Sequence, residues 1–214
     1  VAVPVGEKTA DALIEKLIPR IEKLKVGPWT AGNDIDYGPV VTKAAKENIL
    51  RLVQSGVDQG ADLVVDGRDF NLQGYEDGFF VGPHLFDRVT PDMDIYKTEI
   101  FGPVLSTVRA ATYEDAIKLA LDHEYGNGTA IYTRDGDTAR DFANRINIGM
   151  VGVNVPIPVP LAYHTFGGWK KSGFGDLNQH GPDAFRFYTR TKTVTARWPS
   201  GIKEGGEFNF KAMD

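Results

Sequence analysis

The chain contains 214 residues with a net charge of −5, and 42% of them are hydrophobic, which is enough to bury a substantial core. The acidic balance argues against a general binder of nucleic-acid backbones. The absence of cysteine excludes disulfides, cysteine-ligated zinc and a thiol nucleophile within these residues. No apolar run approaches the roughly 20 residues of a membrane span, and no signal peptide is visible. We therefore expect a cytoplasmic protein with neither nucleic-acid nor membrane partners.

Hydrophobic periodicity predicts alternating strands and helices through residue 155. The predicted helices are one with an apolar face from Ala10 to Leu24 and a kink at Pro19, one capped by Thr42, one capped by Thr112, and Asp137–Asn147 with Gly149 as its C-cap glycine. The predicted strands are Val1–Gly6, Leu63–Val65, Phe79–Val81, His84–Phe86, Val104–Val108, Ala130–Tyr132 and Met150–Val155. This alternation predicts an α/β fold, in which a mostly parallel sheet is flanked by helices on both faces.

The pattern of the sequence changes after Val155. Three prolines interrupt residues 156–160, and four glycines follow within residues 167–175. Helices and strands do not tolerate this density of breakers, so we predict a long irregular loop, and such loops are usually functional. Phe187–Trp198 is rich in Thr, Val and Tyr and is predicted to be a strand. Because neither of its faces is strongly apolar, we expect an edge strand that pairs elsewhere, with another subunit as a candidate partner.

Several common site motifs are absent from the sequence. No G-x-G-x-x-G lies between a predicted strand and a predicted helix, and there is no Walker loop, so no dinucleotide-binding fold is visible. The histidines lie far apart and lack metal-ligand spacing, which favours surface or packing roles and predicts no metal site. They are His84, His123, His164 and His180.

The loop Glu99–Val104 combines residue types that suit a nicotinamide-nucleotide site. The Glu99 carboxylate can accept two hydrogen bonds from the vicinal hydroxyls of a ribose, and its charge strengthens them. Phe101 can lay its ring against a nicotinamide, while Gly102 and Pro103 would fix the turn. Residue types alone favour a different interpretation, an ordinary loop in which Glu99 is exposed and Phe101 belongs to the core.

Several motifs resemble those of the NAD(P)-dependent aldehyde dehydrogenase family, in that family's order and at its spacings. Together they cover nearly the whole chain. They are K-T-E-I-F-G-P-V at 97–104, G-T-A-I-Y-T-R-D at 128–135, G-M-V-G-V-N at 149–154, F-G-G-W-K-K-S-G at 166–173, and Y-T and K-T-V at 188–189 and 192–194. This resemblance outweighs the interpretation of Glu99–Val104 as an ordinary loop.

Further stretches resemble the CoA-acylating methylmalonate-semialdehyde dehydrogenase branch of that family, at 125–130, 153–160, 175–178 and 195–199. Hydrolytic members usually carry an Arg-Glu pair after the glycine loop, where this chain has Asp176-Leu177-Asn178. That departure favours the acylating branch. One alternative is a hydrolytic aldehyde dehydrogenase with similar loops. Another is a stand-alone interaction module that pairs through the strand Phe187–Trp198.

The resemblance implies a mechanism in which a cysteine thiolate attacks the aldehyde, hydride passes to NAD, and the thioester is released to coenzyme A. Glu99 would bind the nicotinamide ribose, and Phe101 would lie beside the nicotinamide. Phe166 would stand at the substrate mouth, and the loop Pro156–Pro160 would shape the same pocket. Because the chain has no cysteine and opens on an apolar run without an initiator Met, we expect a C-terminal fragment. Its nucleophile and NAD-binding domain would lie upstream, leaving no catalytic residue in this chain.

The resemblance also implies a domain organisation and partners. Residues 1–186 would be part of the catalytic domain, and 187–214 an oligomerisation strand and tail. We expect a homo-oligomer, a dimer or a tetramer, that takes a small semialdehyde and coenzyme A. The isolated chain should bind NAD very weakly, because the adenine half of NAD would be bound elsewhere, and it should turn over no aldehyde, because the nucleophile is absent. Lys170 and Lys171 are interpreted as an exposed basic pair, with attraction of a carboxylate or of CoA phosphates as the alternative.

Overall fold

The computed structural model describes residues 1–196 and 198. The helices are α1 (Glu7–Ile21), α2 (Lys43–Asp58), α3 (Asp94–Lys97), α4 (Tyr113–Asp122), α5 (Gly136–Arg145) and α6 (Ala184–Tyr188), with 3-10 turns at Trp29–Ala31 and Gly181–Asp183. The strands are β1 (Asp62–Val65), β2 (His84–Asp87), β3 (Val104–Ser106), β4 (Tyr125–Gly126), β5 (Gly128–Ile131), β6 (Met150–Val153) and β7 (Trp169–Lys170). Among the described residues, no helix is long and apolar enough to cross a membrane.

The chain divides into two compact units. The first comprises Val1–Pro158 together with Gly167–Gly173, and it holds α1 to α5 and all seven strands. The second comprises Val159–Phe166 together with the chain from Phe174 onward, and it holds α6. The division expected from the sequence, into a catalytic part at 1–186 and an oligomerisation strand and tail at 187–214, stays a prediction.

The predicted α/β class is confirmed, with parallel and antiparallel strand pairs. β2 lies between β1 and β3, antiparallel to the former and parallel to the latter. The N-terminal segment extends this sheet, because Ala2 and Val5 form parallel bridges to Thr107 and Ala110. β5 and β6 pair in parallel, and β4 and β7 pair antiparallel. In the described part of the chain the expected sheet is therefore divided into three smaller ones.

Helix α2 forms as its sequence predicts and supplies one wall of the main core. The Thr42 hydroxyl accepts the backbone N–H of Ala45 at 3.1 Å, which satisfies an otherwise unpaired donor of the first turn. Its buried residues recur at helical spacing and are Ile49, Leu52, Val53 and Gly56. The first three join one hydrophobic cluster with Phe86 of β2 and with Ile95 of α3. The helix therefore packs on α3, which precedes the loop Glu99–Val104, and on β2, which pairs with the strand that follows it.

Two local predictions were wrong, each because glycine or proline neighbours set the backbone. Phe79–Val81 forms no strand; the Phe79 carbonyl accepts from the Val40 amide, and the Val81 carbonyl from the Tyr37 hydroxyl. Gly149 is not a helix cap, since α5 ends at Arg145. A Cβ at Gly149 would lie 2.5 Å from the Cα of Gly167, so a close backbone approach requires the glycine there.

The predicted strand Phe187–Trp198 is wrong at its start, because Phe187 and Tyr188 belong to α6. The helix begins after the turn Gly181–Asp183, in which Pro182 occupies a first-turn position that suits its fixed φ. Residues 189–196 form no strand pairing in the described chain. A strand that pairs with a second subunit has no partner in one chain, so pairing of 189–196 stays a prediction.

Arg109 ties α1 to the end of β2 through a nearly buried ion pair. The Arg109 and Asp87 side chains are 11% and 7% exposed, and Nη2 lies 2.6 Å from a carboxylate oxygen. Arg109 also pairs with Glu7 and Asp11 of α1. Burial disfavours the charged form of Asp87, but it is outweighed by the hydrogen bonds from the Arg109 side chain and the Arg88 amide together with the charges of both arginines, so the Asp87 pKa lies below its ordinary value.

We expect Arg109→Met to reduce the free energy of unfolding by about 3 kcal/mol near pH 7, because it leaves the buried Asp87 charge without the Arg109 guanidinium. A carboxylate whose pKa is lower in the folded state stabilises the fold at pH values above its unfolded-state pKa of about 3.9. That stabilisation is lost as the pH falls through the folded-state pKa. The difference between variant and wild type should therefore shrink below about pH 4. Urea unfolding at several pH values measures this, and Arg145→Met, which breaks exposed ion pairs with Glu114 and Asp141, is the matched control. Equal losses in the two variants would contradict the argument.

Candidate active site

The loop 98–103 is fixed at both ends by the elements that flank it. At its start, the Thr98 amide donates to the Asp94 carbonyl of α3 at 2.8 Å. At its end, the His84 amide donates to the Pro103 carbonyl at 2.8 Å and aligns the loop with β2. The Val104 amide closes a tight turn onto the Gly102 carbonyl at 2.7 Å. The loop between these points is short and its course is determined by backbone contacts.

Phe101 is exposed and strained, so the alternative in which it belongs to the core is wrong. Its side chain is 82% exposed and its backbone φ is 57°. A non-glycine residue in the left-handed region costs about 1–2 kcal/mol, and such residues concentrate at functional sites. Burial of the ring does not offset this cost. The contacts at the loop ends must impose the conformation, which holds the aromatic ring towards solvent.

Glu99 is exposed two residues before Phe101 on the same loop. Within residues 1–196 and 198, its carboxylate has neither a hydrogen-bond donor nor a cation as a partner. Gly102, the residue after Phe101, packs closely on α2. A Cβ at this position would lie 2.6 Å from Ile49 Cδ1, so the turn has room only for glycine there. The structure therefore presents an unpaired carboxylate and an exposed ring from one turn.

Phe166 lies in the second unit, whereas Glu99 and Phe101 lie in the first. Its ring stacks on that of His180, with centroids 4.2 Å apart and planes inclined by 29°. Both residues belong to the second unit. Phe166 is half-buried, so it makes a packing contact and keeps part of its ring accessible. Its expected place at the substrate mouth stays a proposal.

The interpretation of Lys170 and Lys171 as an exposed basic pair holds only for Lys171, which pairs with Glu124. Lys170 is half-buried, and its ammonium donates to the carbonyls of Ala120, Leu121 and His123 at 2.9–3.0 Å. These carbonyls lie at the C-terminal end of α4, where helical acceptors lack partners and a cation is favoured. Lys170 therefore fastens β7 to the C-terminal end of α4.

The histidines occupy separate environments. His84 is 1% exposed, and burial lowers the pKa of its imidazole, so the ring is neutral near pH 7. His84 is thus a packing residue, as the sequence favoured. In the residues that the structure describes, no group of three His, Asp or Glu side chains has the geometry of a metal site.

Comparison with known proteins decides which family these features belong to. The sequence profile of the aldehyde dehydrogenase family matches residues 2–194. The chain belongs to the aldehyde dehydrogenase family. It is 58% identical over its whole length to a malonate-semialdehyde dehydrogenase of Pseudomonas aeruginosa, of which it covers 43%. It is 50% identical over 186 residues to an Arabidopsis thaliana protein named methylmalonate-semialdehyde dehydrogenase [acylating], mitochondrial, covering 86% of this chain and 30% of that one.

Solved structures of this family share the fold. A Sinorhizobium meliloti protein described as a methylmalonate-semialdehyde dehydrogenase and crystallised with NAD is 71% identical, with a TM-score of 0.88. That match covers 95% of this chain and 41% of the other. This aldehyde dehydrogenase chain thus spans about two fifths of the length of the bacterial relatives named above.

Sequence reasoning predicted Glu99 and Phe101 as site residues but missed α3, which holds the start of their loop. The signals were an acidic residue in its first turn, Asp94, and a basic one in its last, Lys97. A helix of four residues is too short to show an apolar period beside these two charges, so the sequence of Asp94–Lys97 has the pattern of a loop.

We expect Phe101→Gly to leave the free energy of unfolding within about 1 kcal/mol of wild type, since glycine adopts the left-handed backbone without strain. Phe86→Ala, which empties a fully buried site in β2, should instead cost about 3–5 kcal/mol. Urea unfolding of both variants tests the exposure of Phe101. A loss of similar size in the two would place the Phe101 ring in the core.

Lys170→Met should lower the free energy of unfolding by about 1–2 kcal/mol, because three carbonyls at the end of α4 lose a charged donor. The neighbouring Lys171→Met breaks an exposed ion pair and should leave the urea unfolding midpoint nearly unchanged. If both variants unfold at the same urea concentration, Lys170 does not stabilise the C-terminal end of α4.

Proposed function

We propose that this chain is the C-terminal part of the catalytic domain of an NAD-dependent, CoA-acylating methylmalonate- or malonate-semialdehyde dehydrogenase. The observation that carries the proposal is the turn that presents Glu99 and Phe101 within the family's E-I-F-G-P-V motif. The relatives named above support the substrate class, since their names refer to malonate or methylmalonate semialdehyde.

The loop fits the nicotinamide half of NAD. The unpaired Glu99 carboxylate can accept hydrogen bonds from both ribose hydroxyls, and the exposed Phe101 ring offers a flat surface for nicotinamide. Bound NAD would supply the hydride acceptor for aldehyde oxidation. The role of these residues is to orient the ring, since a charged acceptor and an aromatic face on one turn restrict its rotation. The adenine half would be bound outside these 214 residues.

The acylating branch is favoured by residues beyond the glycine loop. Asp176-Leu177-Asn178 stands where hydrolytic relatives usually carry an Arg-Glu pair, and one relative is named as acylating. In the proposed reaction a cysteine outside this chain forms a thioester with the oxidised substrate, and the thiol of coenzyme A displaces that cysteine. Phe166 and the loop Pro156–Pro160, in which Ile157 is 72% exposed, would shape the substrate pocket. We further propose a cytoplasmic homo-oligomer.

We expect the full-length enzyme to form acyl-CoA from methylmalonate or malonate semialdehyde, NAD and coenzyme A. NADH production, followed by absorbance, should depend on coenzyme A under multiple turnover, because the thiol releases the enzyme-bound acyl group. Mass spectrometry of the product checks the thioester directly. Free acid formed at a rate that coenzyme A does not change would favour a hydrolytic aldehyde dehydrogenase instead.

In the full-length enzyme, Glu99→Gln should weaken NAD binding about tenfold, since neutral acceptors make weaker hydrogen bonds to the ribose hydroxyls. The rate of hydride transfer should also fall, because the nicotinamide is less well oriented. Calorimetry and single-turnover kinetics measure the two effects. Glu15→Gln, on the exposed surface of α1, is the matched control. Unchanged NAD affinity and hydride-transfer rate in Glu99→Gln would remove Glu99 from the site.

A further inference from the structure

Helix α2 holds the start of the cofactor loop through α3. The side-chain carbonyl of Gln59 accepts the backbone N–H of Asp94, the first residue of α3, at 2.8 Å. The Ser55 hydroxyl donates to the Asp94 carboxylate at 2.9 Å. Two polar side chains near the C-terminal end of α2 therefore bind one residue at the beginning of α3.

Gln59 supplies an N-terminal cap that α3 lacks in its own sequence. The residue that precedes α3 is Met93, which makes no side-chain hydrogen bond to the free amides of the first turn. A helix of four residues has no stability of its own, because the cost of nucleation is not recovered by further turns. The position of α3 consequently depends on contacts with its neighbours. Gln59 makes one of these, and Ile95, which is 2% exposed and packs on Gly56, makes another.

The other end of the loop also rests on α2. Gly102 approaches Ile49 of α2 so closely that a Cβ on Gly102 would lie 2.6 Å from the Ile49 side chain. Asp94 is joined to the loop by its carbonyl, which accepts the amide of Thr98. Glu99 and Phe101 thus lie between two attachment points on the same helix. A shift of α3 along α2 would move one end of the loop against the other.

We propose that Gln59 is a positioning residue for the cofactor site. By holding the Asp94 amide, it fixes α3 and so sets the direction in which Glu99 and Phe101 are presented. The inference rests on the proposed binding of the NAD ribose by Glu99. Gln59 is exposed, so its hydrogen bond contributes little to global stability, and its effect falls on the geometry of the loop.

The test uses the full-length enzyme with the variant Gln59→Leu, which removes the acceptor and keeps the volume. Gln54→Leu is the matched control, because Gln54 lies on the same helix and bonds only to Asp58 and Arg68 among the described residues. We expect the KM for NAD to rise about fivefold in Gln59→Leu, the effect of one lost hydrogen bond. The KM for aldehyde should not change, and the two variants should unfold at the same urea concentration.

Gln59→Glu, which keeps an acceptor, should restore the KM for NAD.

A double variant separates positioning from general destabilisation. If Gln59 acts through the loop that carries Glu99, then Gln59→Leu should raise the KM for NAD less in a Glu99→Gln background than in the wild-type enzyme. A KM for NAD in Gln59→Leu equal to that of Gln54→Leu, or additive effects in the double variant, would overturn the inference. If Glu99→Gln alone leaves NAD binding unchanged, the proposed cofactor role of the loop fails as well. Should Gln59→Leu not fold, Ser55→Ala removes the second bond to Asp94, and a KM for NAD unchanged by it would count equally against the inference.

Discussion

The close approach of α2 to its neighbours depends on Gly56. A Cβ at this position would lie 2.7 Å from Ile95 Cδ1 and 3.1 Å from the Phe86 ring, well inside the usual carbon contact of about 3.5–4 Å. A glycine in mid-helix costs about 1 kcal/mol relative to alanine, yet it allows Ile95 and Phe86 to be buried at 2% and 0% exposure. Ile95 lies in α3, and Phe86 lies in β2, which pairs with β3. The packing at Gly56 therefore sets the spacing of both elements that hold the loop Glu99–Val104.

Backbone strain coincides with the motifs of the aldehyde dehydrogenase family. In the described part of the chain, non-glycine residues with positive φ are Arg88, Phe101, Asn154 and Lys170. All but Arg88 fall within the stretches 97–104, 149–154 and 166–173. Each of the three is held from outside: Phe101 by the ends of its loop, Asn154 by two side-chain bonds to the backbone of Thr133, and Lys170 by three carbonyls at the end of α4. Tertiary contacts thus stabilise conformations that local preference opposes.

The parts of the fold that were predictable are those with enough residues to show a period or a cap. Helix α2 has sixteen residues and a Thr42 cap, and α4 has a capping box between Thr112 and Asp115. Helices α3 and α6, with four and five residues, are too short to show either signal. The pairing of the N-terminal segment with Thr107 and Ala110 was also beyond prediction. Nothing in an apolar strand specifies which distant strand it joins.

The candidate site also contains some residues that the sequence could indicate and others that it could not. Glu99 and Phe101 were predicted as site residues because their chemistry suits a ligand and because the surrounding motif resembles a family; residue types alone had placed Phe101 in the core. Gln59 and Ser55 carried no comparable signal. They meet Asp94 across 35 and 39 residues of sequence, and the group that Gln59 binds is a backbone N–H, which every residue except proline possesses. A sequence motif can therefore predict side chains for contact with a ligand, whereas the side chains that hold the backbone of such a motif become visible only when the fold brings them together.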